Sequence, residues 1–144
     1  MSLVVNQTTS VLRVLNSHTF LKRRRLVLSL VEHNIIMSWN CQEHGNHSAV
    51  QVLADLVRSK GPIMLFLMET KLSMQEMIPI RDELGYRSML AILSVRRSGG
   101  LAMLWTDDVM VNTQTYSLNH IDVKVMPPFL VEWRLIEVYG HLEE

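Results

Sequence analysis

Apolar and polar residues follow two different patterns along the chain, one before Gly85 and one after it. Before Gly85, a largely apolar run at residues 34–39 and a fully apolar run at residues 63–68 each lead into a polar residue. Between them, residues 48–60 place apolar side chains at helical spacing, and Gly61 ends that helix. The pattern predicts a strand–helix–strand unit, and such a unit usually places its two strands parallel to each other.

A second helix is predicted directly after the second strand. Ser73 and Glu76 have the spacing of a capping box, so the helix should begin just after Ser73. It should run to about Leu84, because Gly85 suits the position that follows a helix. Pro79 lies beyond the first turn, so we expect it to kink or shorten this helix.

After Gly85 the chain has the pattern of short strands separated by polar turns. Five segments fit this pattern: residues 86–93, 100–105, 110–117, 121–125 and 131–139. Two strand–helix units followed by a run of strands are typical of a mixed α/β, or α+β, fold.

The composition favours a packed domain. The chain has 144 residues, of which 48% are hydrophobic and 19% charged. This is enough for one domain with its own core. The single cysteine, Cys41, excludes an internal disulfide framework. No apolar run has the length needed to cross a bilayer, so we expect no membrane partner.

Charge is distributed unevenly along the chain. Residues 1–31 carry five basic residues and no acid, which leaves nine basic and fourteen acidic residues in the remainder. A body with that excess of acid is not an obvious nucleic-acid binder. Arg96 and Arg97 are the best candidates for contact with a nucleic-acid backbone, although they also fit a solvated turn.

Residues 1–31 are predicted to be an N-terminal extension, disordered or unselected, with the domain beginning at residue 32. Two other interpretations stay open. The basic run at residues 22–25 fits a nuclear address, and an acid-free start that contains arginine fits an organellar transit peptide.

Asn40 and Glu69 are the main candidates for chemistry, because each directly follows the apolar part of a predicted strand. The C-terminal ends of parallel strands meet at one edge of a sheet, where open α/β sheets bind ligands. An amide and a carboxylate brought together there suit Mg²⁺ and a phosphate. Alternatively, Asn40 is an ordinary turn residue and Glu69 a solvated carboxylate at the start of a loop.

The other polar candidates are weaker. His44, His47, His120 and His141 do not have the spacing of a metal site, so we interpret them as polar loop groups. His120 with Asp122 would suit a groove, but Asn119-His120 equally fits a plain turn.

Several motifs occur together in an order that resembles a known family. They are Met37–Cys41, Pro62–Leu72, Ser98–Trp105, Asn119–Val123 and Trp133–His141. In this order they resemble plant LINE-type retrotransposon endonuclease domains, which belong to the endonuclease/exonuclease/phosphatase superfamily. The resemblance covers about residues 35–143.

The resemblance implies a four-layer α/β sandwich, a nuclear location, and magnesium-dependent hydrolysis of phosphodiester bonds in DNA. Asn40 matches the family asparagine that helps to hold the phosphate, and Glu69 matches the glutamate that ligates the metal. Tyr139 matches the active-site tyrosine of a Tyr-Gly-His stretch, although a packed strand aromatic is an equally good interpretation.

The departures from the family pattern change the expected activity. The family continues into Gly-Asp-Phe-Asn and Ser-Asp-His motifs, and neither occurs in these 144 residues. We therefore expect a truncated N-terminal half, with activity lost or severely impaired. The alternative is a non-enzymatic remnant or a weak binding module. Sheet edges left open by missing strands should favour self-association.

Overall fold

Two β-sheets and two helices make up the described part of the chain. The computed structural model describes the backbone of residues 2–6, 10–14, 20–22, 26–31, 34–41, 47–93, 99–126 and 132–139, and the side chains of residues 35–41, 50–93, 99–126 and 132–138. The predicted mixed α/β class is confirmed.

The strands fall into two sheets. They are β1 (Ser2–Asn6), β2 (Ser10–Val14), β3 (Phe20–Lys22), β4 (Leu26–Val31), β5 (Asn34–Asn40), β6 (Met64–Met68), β7 (Ser88–Ile92), β8 (Leu101–Trp105), β9 (Met110–Ser117), β10 (His120–Met126) and β11 (Trp133–Tyr139), with helices α1 (His47–Lys60) and α2 (Met74–Leu84). One sheet has the order β4-β5-β6-β8-β7 and the other β3-β1-β2-β11-β10-β9.

The predicted strand–helix–strand unit is confirmed. β5 and β6 pair in parallel, from Ile36 opposite Met64 to Asn40 opposite Met68, and α1 connects them. Every residue of β6 is buried, as expected of a strand that is covered on both faces.

The five-stranded sheet separates two apolar cores. Alternate residues of β6, such as Met64 and Phe66, belong to a core shared with β10 and β11 of the other sheet. The intervening residues Leu65 and Leu67 belong to a second core, which α1 and α2 cover. Complete burial of one large apolar side chain contributes about 1.5–3 kcal/mol, so both faces of this sheet stabilise the fold.

Helix α2 has the predicted capping box. The Ser73 hydroxyl accepts from the backbone N–H of Glu76 at 3.3 Å, and the Glu76 carboxylate accepts from the backbone N–H of Ser73 at 3.2 Å. Gly85, with φ of 85°, ends the helix. The expectation that Pro79 shortens the helix was wrong, because the missing N–H leaves open only the carbonyl of exposed Gln75.

The backbone of four N-terminal segments forms strands within these sheets. β2 pairs antiparallel with β11, and β4 pairs antiparallel with β5. The extension predicted for residues 1–31 therefore contributes three strands to the six-stranded sheet and one to the five-stranded sheet. The domain boundary at residue 32 stays a prediction. Neither helix of the described residues is long and apolar enough to span a membrane.

Replacing the capping serine, Ser73→Ala, is expected to lower the free energy of unfolding by about 1 kcal/mol, because the N–H of Glu76 loses its acceptor. Urea denaturation followed by circular dichroism measures the change. Ser73→Asn is the control and should keep most of the stability, since asparagine caps as well as serine. Equal losses in both variants would contradict the capping role.

Deleting residues 1–31 is expected to lower the unfolding free energy by more than about 2 kcal/mol, because β5 and β11 each lose a strand that pairs with them. Urea denaturation measures the stability, and amide exchange in β5 and β11 should accelerate. An unchanged midpoint would instead support a domain that begins at residue 32.

Candidate functional site

The parallel pairing places the ends of β5 and β6 side by side. Asn40 lies opposite Met68, the last residue of β6, and Glu69 directly follows that strand. The backbone N–H of Cys41 donates to the carbonyl of Met68 at 2.9 Å, so the pairing continues past Asn40. From strand spacing and rise, the Cα atoms of Asn40 and Glu69 are about 6 Å apart. Both residues are buried.

The backbone after β6 has an unusual conformation. Glu69 and Lys71 both have φ of 53°, in the left-handed region that costs a non-glycine residue about 1–2 kcal/mol. The segment is fixed in place because the N–H of Thr70 donates to Gly100 at 3.2 Å and that of Lys71 donates to Gly99 at 3.1 Å. Strained residues held by their surroundings cluster at functional sites, which supports a role for this strand end.

The charge at this strand end is partly compensated. The Lys71 ammonium lies 3.7 Å from Oε2 of Glu69, whose side chain is 10% exposed. A partly exposed pair at this distance contributes little to the free energy of unfolding. Within the described ranges, no group of three or more His, Cys, Asp or Glu side chains could hold a metal. A single carboxylate suits Mg²⁺, which keeps several waters and takes ligands from a substrate phosphate.

The remaining predicted site residues are only partly described. Tyr139 is the last residue of β11, opposite Ser10 of β2, and its side chain lies outside the described residues. Arg96 and Arg97 also lie outside them. The roles of these three residues therefore stay predictions.

A hydrogen-bonded network joins β9, β10 and β11. Arg134 donates to both oxygens of Asp122, from Nε at 3.0 Å and from Nη2 at 2.7 Å, and Thr115 donates to Oδ2 at 3.3 Å. The hydrogen bond from Arg134 is the main cause that holds the pKa of Asp122 below its ordinary value. His120 contacts the hydroxyls of Thr115 and Ser117 at the β9–β10 hairpin, which favours the plain-turn interpretation of this residue.

Glu137 is a buried carboxyl that the sequence analysis did not select. It is 1% exposed, and neither oxygen has a hydrogen-bond partner among the described residues. On β11 it follows Trp133 and Leu135 at every second position, and both of those belong to the core between the sheets. Burial raises its pKa well above the ordinary value. Strand alternation from Trp133 was the signal that could have placed this acid inside.

No protein-family model matches the sequence, and no curated protein matches it. The resemblance to LINE-type endonucleases therefore depends on the sequence motifs alone and stays a prediction.

Glu137 is expected to make the protein less stable as the pH rises. Its carboxyl ionises in the unfolded chain at its ordinary pKa but stays protonated in the folded protein, so stability falls above that pKa until the raised pKa is passed. Urea denaturation between about pH 5 and 8 should show this slope in the wild type, up to about 1.4 kcal/mol per pH unit.

The same titration of Glu137→Gln should lose this contribution to the slope, because glutamine does not ionise. Glu132→Gln, an exposed acid one residue before the same strand, should keep the wild-type slope. Identical slopes in the wild type and Glu137→Gln would contradict the assignment.

Proposed function

We propose that residues 35–143 are part of a magnesium-dependent phosphodiester hydrolase of the endonuclease/exonuclease/phosphatase type, derived from a retrotransposon endonuclease. The observation that supports the proposal is the parallel register of β5 and β6, which pairs the backbone of Asn40 with Met68, the residue directly before Glu69. In this proposal the two described sheets and the helix layer belong to a four-layer sandwich. DNA is the partner and the nucleus the location.

The chemistry of the two side chains supports these roles. Glu69 would hold Mg²⁺, and Asn40 would donate from its amide to a phosphate oxygen. When bound, the ion would polarise the phosphoryl group and stabilise the leaving oxygen. The fixed backbone from Glu69 to Lys71 orients the carboxylate before substrate arrives, and preorganised charge of this kind contributes strongly to catalysis.

These residues supply only part of a catalytic set. No Gly-Asp-Phe-Asn or Ser-Asp-His motif occurs in the 144 residues, so the groups that would orient the attacking water are not among them. The proposal is therefore that this chain alone binds the metal weakly and does not hydrolyse DNA at a significant rate.

A non-enzymatic role is the second candidate, and the ion pair between Lys71 and Glu69 favours it. The lysine ammonium occupies one oxygen of the carboxylate and opposes the approach of a cation. In this case the chain is a remnant or a weak binding module, with self-association through sheet edges as its main interaction.

Manganese titration tests the proposed metal site, with Mn²⁺ as the probe for Mg²⁺ and water proton relaxation as the measurement. The full chain is expected to bind Mn²⁺ weakly, and Glu69→Gln should weaken binding by roughly tenfold or more, because the carboxylate charge is lost. Glu83→Gln removes an exposed charge from α2 and should bind as the wild type does. Equal binding by Glu69→Gln and the wild type would exclude the site.

Incubation with supercoiled plasmid and Mg²⁺ tests the activity separately. No nicking above background is expected from the wild type. Mg²⁺-dependent nicking that disappears in Glu69→Ala would show that these residues are sufficient for catalysis, and would overturn the loss of activity while supporting the metal site.

A further inference from the structure

The open edge of β7 has the composition of an interior strand. Within the part of the chain that the structure describes, β7 pairs only with β8 and ends the five-stranded sheet. All five of its residues are half-buried. Leu90 and Ile92 pack against the core between the sheets, whereas Met89 and Ala91 pack against the core under the helices. Both cores therefore reach the edge of the sheet, and no further strand of the described residues pairs there.

This edge lacks the features that normally prevent strands from pairing between molecules. Such features are charged side chains, proline and bulges, and residues 88–93 have no charge and no proline. β9, an edge strand of the other sheet, differs because its pairing with β10 is interrupted by a bulge between Asp122 and Val123 and its side chains are mostly exposed. The edge of β7 is therefore the better surface for strand addition.

We infer that β7 pairs antiparallel with β7 of a second copy of this chain, about a two-fold axis at Leu90. Leu90 is the central residue of the strand, so this register places Leu90 opposite itself, Met89 opposite Ala91 and Ser88 opposite Ile92. Each face of the joined sheet then continues one apolar core into the same core of the partner. Strand alternation preserves the two faces, and an edge-to-edge ladder satisfies the exposed backbone groups.

Charge also favours a second copy over other partners. The formal net charge is zero, so two copies do not repel each other strongly. The described residues of the edge offer no cation for nucleic acid other than Arg87, which flanks the strand. Its side chain is 86% exposed and lies 3.7 Å from Asp107. In the proposed register Arg87 lies opposite Leu93 of the second copy. This inference does not depend on the proposed hydrolase activity.

The Arg87–Leu93 pairing gives a test that leaves the cores untouched, because Leu93 is 43% exposed. Sedimentation equilibrium of the full chain should show a monomer–dimer equilibrium. Leu93→Glu should lower the dimer dissociation constant by about fivefold at low salt, since each glutamate faces an arginine. Leu93→Lys should raise it by about fivefold, and both effects should shrink in high salt.

Leu118 provides the matched control, because it is 57% exposed in the hairpin between β9 and β10, away from the proposed axis. Leu118→Glu and Leu118→Lys should leave the dissociation constant unchanged. Equal weakening by Leu93→Glu and Leu93→Lys would overturn this register, because loss of apolar contact alone would explain it. A wild-type monomer at millimolar concentration, open-ended aggregates, or equal effects at Leu118 would overturn the dimer.

Discussion

The parallel pairing of β5 with β6 is the constraint on which the rest of the structure depends. Because two parallel strands need a crossover, α1 must lie on one face of the sheet, and the other face is left for the second sheet. The same pairing brings two strand ends to one edge. The location of the cores and of the candidate site therefore follows from a single pairing of neighbouring strands.

The strand end after β6 shows how the fold and the site are coupled. The two left-handed residues, Glu69 and Lys71, are tolerated because the backbone of Thr70 and Lys71 is bonded to Gly99 and Gly100. The glycines can take the positive φ angles that this contact requires. The backbone beside Glu69 is thus held by hydrogen bonds to the glycines, while its carboxylate pairs with Lys71.

The elements that are marked by local sequence features were predicted correctly. The limits of α2 were predicted correctly because a capping box and a glycine mark its two ends. The parallel unit was found because its strands are apolar on both faces and the helix between them has its own period. The four N-terminal strands were missed because the basic, acid-free composition of residues 1–31 favoured an unselected extension, although β1 pairs with β2 and β4 pairs with the next strand, β5.

The candidate site was predictable in part, because the strand–helix–strand unit that carries it has local sequence signals. The alignment of the ends of β5 and β6 follows from the parallel strand–helix–strand connection that the sequence predicts. Glu137 belongs to no motif with a recognised role, and only the alternation of β11 from Trp133 indicates that its carboxyl is buried. The left-handed conformation of Lys71 has no local signal, since lysine has no preference for it.

The apolar character of both faces of the five-stranded sheet has a consequence for folding. In a sheet with one wet face, a slip of one residue exposes every core side chain and is strongly disfavoured. In β6 such a slip only exchanges one set of apolar side chains for another between the two cores. The polar residues at the strand ends must therefore select the correct register. Substitution of Asn40 or Glu69 would weaken the preference for that register before it changed the packing of the cores.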